Sequence, residues 1–177
     1  MNPNALCLER MQIVPGQAAG PADINGAAIT GDYVSLKNYR RCLVLVYAGD
    51  GTAGGDLDVK LYQASDVSGT GAKVLNCLET DRIFTKQHAS TFAGVGQFTK
   101  ETQPTADEQY TDTDSGEQVN LWGLEVMASD FDADNNFDCL RADVADPGAA
   151  KVVGLLYMLM DPKYPASPEL QLSAIAD

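Results

Sequence analysis

The segment DFDADNNFD, residues 130–138, has the most suggestive ligand spacing in the chain. Asp130, Asp132 and Asp134 stand at the first, third and fifth positions of a calcium-loop pattern, and Asp138 at the ninth. Carboxylate oxygens at alternate positions suit a hard divalent cation. The pattern then fails. Asn135 replaces the glycine of the sharp turn, and Arg141 stands where a bidentate glutamate would close the shell. An acidic β-turn is the competing reading, because Asn and Asp accept turn dihedrals. No resident metal is expected, and the three aspartates are the ligands to test for calcium.

Nucleophilic catalysis would need His88, the single histidine, as its base. It lies in KQHAST, and no GxSxG elbow occurs. Two carboxylates for glycosidic cleavage can always be drawn from 25 acids, so their presence decides nothing. The stretch GDGTAGG, residues 49–55, lacks the order and the lysine of a phosphate loop and reads as a tight hairpin turn. No catalytic residue and no cofactor are assigned, and a non-enzyme is expected. Arg141 shares an alternating face with Cys139 and Asp143, either as an ordinary surface pair with the aspartate or as part of a subunit contact.

The four cysteines, Cys7, Cys42, Cys77 and Cys139, form no CxxC pair, which argues against a zinc ribbon. Met1 is followed by Asn-Pro-Asn, not by a basic and then apolar leader, so free thiols in a reducing compartment are expected. Cys42 and Cys139 read as small buried hydrophobes; a bridge between them would need Cα atoms within about 7 Å.

These residues must be positioned by strands. The 177 residues suit one domain with its own core. Twelve basic against 25 acidic residues give a net charge of −13, which excludes phosphate neutralisation and disfavours an anionic membrane surface. Apolar runs of about ten residues are too short for a membrane helix. Strand character is predicted near 9–14, 32–37, 41–48, 56–63, 73–78, 82–86, 119–128, 137–144 and 151–160, with Gly-rich turns between. The runs RCLVLVYA and KVVGLLYMLM are almost continuously apolar and read as buried strands, the second with a helix as competitor. A phase shift at Trp122-Gly123 predicts a bulge. Residues 100–118 read as a long exposed loop, partly mobile in isolation, that orders against a partner. Strands without alternating helices predict an all-β antiparallel sandwich, jelly-roll-like. Residues 1–31 read as an irregular N-terminal arm, 32–164 as the sandwich domain and 165–177 as a C-terminal tail.

Two segments carry a resemblance. GDYVSLKNYRRCLVLVYAGDGTAGGDLDVKLYQASDVSGTGAKVLN spans residues 31–76, and residues 119–164 end in FDCLRADVADPGAAKVVGLLYMLMDPKY. Together they resemble small structural proteins from the head and tail modules of tailed bacteriophages. The resemblance rests on turns and core strands and covers about half the chain. It implies a β-sandwich virion protein, most specifically a capsid decoration or cement protein. Such a protein binds the outer lattice of major capsid protein as a homotrimer at local three-fold positions, on a capsid assembled in the host cytoplasm. The arm and the 100–118 loop would then grasp the shell. Other readings are a tail, head–tail or head-fibre-base component, a carbohydrate-binding β-sandwich and, last, a hydrolase.

Overall fold

Alternation of apolar side chains decides which residues pair. The computed structural model describes residues 6–88 and 97–176. Strands form in the order β1 (Met11–Pro15), β2 (Ala22–Asp23), β3 (Ile29–Thr30), β4 (Val34–Ser35), β5 (Arg41–Gly51), β6 (Asp58–Ala64) and β7 (Lys73–Val74). They continue as β8 (Ile83–His88), β9 (Thr99–Lys100), β10 (Gln109–Thr111), β11 (Val119–Met127), β12 (Cys139–Val144) and β13 (Lys151–Met160). All pairings are antiparallel. The first sheet runs β1-β13-β5-β11-β8-β9, with β2 also on β13. The second runs β10-β6-β12-β3, with β4 on β12 and β7 on β6. The fold is thus an all-β sandwich.

The core lies between the sheets. Cys42, Val44, Val46 and Ala48 of β5 point inward, as do Trp122, Leu124 and Val126 of β11. Leu57, Val59 and Leu61 meet them from the second sheet, joined by Leu140, Ala142 and Val144 of β12. Trp122 packs edge-on against Tyr110, ring centroids 5.0 Å apart. A backbone-to-side-chain bond stitches the sheets together: the Ala142 N–H donates to the Tyr157 hydroxyl at 2.8 Å.

That stitch sets a steric limit. A Cβ on Gly31 would stand 2.2 Å from the Ala142 carbonyl oxygen and 2.8 Å from the Tyr157 hydroxyl. Backbone cannot yield as a flexible side chain does. Gly31→Ala should therefore cost about 2–3 kcal/mol, read as a lower urea midpoint with an unchanged slope. A midpoint equal to the parent's would refute this close approach.

Four expectations are corrected or refined. The 100–118 segment keeps the exposed and mostly irregular course expected of it but is anchored to the sandwich at several points. Tyr110 is buried, β10 pairs with β6, Leu78 and Asp107 form a bridge, and the Gln103 amide donates to the Leu78 and Gln109 carbonyls. Its polar composition concealed backbone pairing. No bulge occurs at Gly123, which stays in register opposite Leu45. The phase is kept because Asn120, though polar, points inward and is buried. The irregularity lies instead between Lys151 and Val153, where β13 meets β5. The strand expected at 73–78 shortens to Lys73–Val74. Finally, β5 and β13 are buried on one face only.

The segments read as arm and tail also enter the sandwich. All five residues of β1 pair with β13. At the other end Ala174 is buried, and its carbonyl accepts the Ser35 N–H at 2.7 Å.

Candidate functional site

The acidic turn sends its aspartates to different partners. Asp130 accepts the Met127 N–H at 2.7 Å and pairs with Arg82 at 3.2 Å. Asp132 pairs with Lys73 of β7 and accepts the Asn135 side-chain amide. The bond from Lys73 holds the Asp132 carboxyl below its ordinary range. Asp134 is exposed. The left-handed turn residue is Asn136 (φ 61°), one place beyond the position a calcium loop reserves for glycine. Among the described residues no three His, Cys, Asp or Glu side chains gather as a metal site.

Arg141 and Asp143 do pair, at 2.9 Å, on the outer face of the second sheet. The guanidinium lies 5.0 Å from the Tyr33 ring centroid and 4.6 Å from that of Tyr62. Burial raises the Tyr33 phenol, and Arg141 opposes that shift. The pair is thus roofed by aromatics of its own chain. Cys139 lies on this outer face with Tyr33 and Ala64, whereas Cys42 belongs to the core between the sheets. One layer of strand separates them, and no disulfide joins any of the four cysteines. The backbone of His88 pairs with Val119, but its side chain lies outside the described residues.

Sequence reasoning missed a buried polar lock at one end of the sandwich. Lys151 is 1% exposed. Its ammonium donates to the carbonyls of Ser115 at 2.5 Å, Gly116 at 2.9 Å and Gln118 at 3.2 Å. The Asn120 amide donates to the Ser115 and Gln118 carbonyls, and the Ser115 hydroxyl accepts the Leu57 N–H at 2.7 Å. The signal was present: Lys151 is in phase with Val153, Leu155 and Tyr157, and Asn120 with Trp122 and Leu124.

The outer faces of the two sheets differ in kind. On the second sheet, Asp143 lies opposite Lys60 and Arg141 opposite Tyr62, and Lys60 pairs with Glu108 at 3.2 Å. That face is charged. On the first sheet the rows crossing the strands are apolar. One row reads Ile13, Met158, Leu43, Glu125 across β1, β13, β5 and β11. The next reads Pro15, Leu156, Leu45, Gly123, Phe84, ending on β8. The third reads Gly154, Tyr47, Leu121, Lys86. Ile13 is 46% exposed, Tyr47 49% and Leu156 37%. Strands apolar on both faces normally have both covered. Pro21 packs over Gly154 and the Phe98 ring meets the Lys86 ammonium at 4.6 Å, while Ile13, Pro15 and Tyr47 between them stay exposed. Beside Tyr47 and Leu156 lies an apolar hollow of 150 Å³, lined also by Pro15, Gly154 and the Pro21 that packs against Gly154.

No helix among the described residues is long and apolar enough to cross a membrane. Compared with protein families the chain matches none, and compared with curated proteins it again matches none. Among solved structures it is similar to the SPBc2 prophage-derived protein YomS, at 14% identity over 82% of this chain and 92% of that one, with a TM-score of 0.23. It is also similar to the infectious bursal disease virus VP2 subviral particle, at 9% identity over 95% of this chain and 45% of that one, with a TM-score of 0.24. One neighbour is thus a prophage product and the other a viral particle. Both overlaps are too loose to carry an argument about function.

Proposed function

We propose that the chain is a non-enzymatic structural component of a phage virion, and within that class a capsid decoration protein on the outer lattice of the major capsid protein. The observation that carries this reading is the exposed apolar sheet face, on a sandwich that spends Lys73, Arg82, Arg141 and Lys151 on its own strands and turns. A large exposed apolar patch marks a protein that assembles. The resemblance of residues 31–76 and 119–164 to phage head and tail proteins supports a virion as the class of assembly.

The shell contact in this reading is the end of the molecule where the segments around Leu8 and Gln171 meet. Leu6, Leu8 and Leu170 are exposed there, and the Gln171 amide donates to the Leu8 carbonyl. Many weak contacts of this kind add up when one assembly engages several lattice subunits. Deleting residues 2–20 is a poor test, because it removes β1 and exposes the edge of β13. Point changes are cleaner. The purified protein should co-sediment saturably with shells of the major capsid protein, and Leu8→Glu with Leu170→Glu should lower that binding at least tenfold. Failure of the parent to sediment with shells overturns the decoration role.

A carbohydrate-binding module is the reading from another class. Gln17, Asp32 and Tyr33 line an open depression of 430 Å³ that would seat a sugar. Saturable glycan binding lost in Tyr33→Ala, with no binding to shells, would favour it.

A further inference from the structure

We propose that the apolar outer face of the first sheet is covered by a second copy of this chain, packed face to face about a two-fold axis. The inference rests on the reading of the chain as an assembly protein and names the partner of that surface.

Size comes first. The thirteen positions of these rows, on strands about 4.8 Å apart and about 6.8 Å apart along each strand, span about 420 Å² in projection. That lies within the range of about 300–600 Å² in which a monomer's largest patch is often a functional one. A rough surface exceeds its projection, and two such faces together bury an area at the low end of protein–protein interfaces, below about 1,200 Å². Two flat sheets packed in this way repeat the packing of the sandwich itself.

Charge and shape then favour an identical partner. The molecule carries −13, so copies repel one another except where charge is sparse. Within the three rows the charged residues are one acid, Glu125, and one base, Lys86. Consider a two-fold axis that crosses the strands at the level of Leu45 and Leu156. It lays the Tyr47 row of one copy over the Leu43 row of the other. Lys86 then stands one strand over from the partner's Glu125, and symmetry makes this pair twice. The same operation brings Met158 over the partner's Gly154, beside the 150 Å³ hollow that Pro21, Tyr47 and Leu156 wall. One axis thus pairs the charges and sets apolar side chains against an apolar hollow.

A three-fold ring, as the resemblance implies, needs two different complementary faces on each copy. The second sheet offers a charged outer face, so the apolar face finds its match in itself.

The test uses the full chain. Light scattering should give a dimer at micromolar concentration. Lys86→Glu and Glu125→Lys should each weaken the dimer at least tenfold, and the double variant should restore it to within about threefold of the parent. Leu156→Asp should abolish it, with an unchanged far-ultraviolet spectrum. A parent trimer overturns the proposal, as does a dimer indifferent to these changes. A parent monomer that loses shell binding on Leu156→Asp also overturns it and makes the capsid protein the occupant. The proposed role fails separately, when no form binds shells.

Discussion

Lys151→Ala lowers the free energy of unfolding by about 3–5 kcal/mol, the usual cost of breaking a buried charged cluster from one side. The reasoning is local. Three carbonyls from the segment that leads into β11 converge on one ammonium, and the first residue of β13 supplies it. Asn120 still serves the Ser115 and Gln118 carbonyls, so Gly116 bears most of the loss. The emptied lysine stem adds a cavity. Lys151→Met separates the two effects, because it keeps the volume and removes the donor; it should cost less than alanine but still about 2 kcal/mol or more. The urea midpoints of parent and both variants decide the matter. A methionine variant as stable as the parent would show that these carbonyls do not depend on the ammonium.

Alkali provides the second large effect. Burial pushes Cys77 from an ordinary value of 9.0 to about 12. It also raises Cys42, Tyr110 and Tyr157 well above their ordinary values. The unfolded chain begins to lose these protons near pH 9 for thiols and near pH 10 for phenols, while the folded chain keeps them. Fewer protons on the unfolded state means that stability falls as pH rises. Lys151 acts in the opposite sense: burial lowers it, so the unfolded chain holds its proton longer and this group alone favours folding as pH rises towards 10.5. Four groups outweigh one. Each contributes up to about 1.4 kcal/mol per pH unit, against a total stability of about 5–15 kcal/mol. Urea midpoints should hold between pH 7 and 8, drop steeply from pH 9, and vanish within about three units. A flat profile to pH 11 would mean that these side chains meet solvent.

How much of this was legible depends on which residues carried the signal. Leu57, Val59 and Leu61 alternate with charged neighbours, and that spacing alone places them in the core. The apolar runs of β5 and β13 declared their strands but not their surroundings. A continuous run states that both faces avoid water and is silent on what covers the second. The 100–118 segment hid its attachment because Tyr110 and Ser115 are its main buried anchors, and the rest of its order comes from backbone bonds that composition does not record. Asp130, Asp132 and Asp134 shared a suggestive spacing, yet Arg82 and Lys73, 48 and 59 residues earlier in the chain, claimed the first two. Spacing along a chain cannot report partners so distant. Lys151 and Asn120 could have been read from phase, because a polar residue in step with an inward-facing series must find its own partners.

The position of β13 has a consequence for synthesis. This strand sits between β1 and β5 and also holds β2, yet the ribosome makes it after every strand it pairs with. Until residue 160 has emerged, β1 and β5 cannot join into one sheet, and the β5 edge that β13 will cover stays open to solvent. The nascent chain therefore waits in an adhesive state, and crowding among neighbouring ribosomes on one message sets its hazard. Slower initiation or lower growth temperature should raise the soluble yield more than slower elongation, because elongation prolongs the wait that spacing between ribosomes makes harmless.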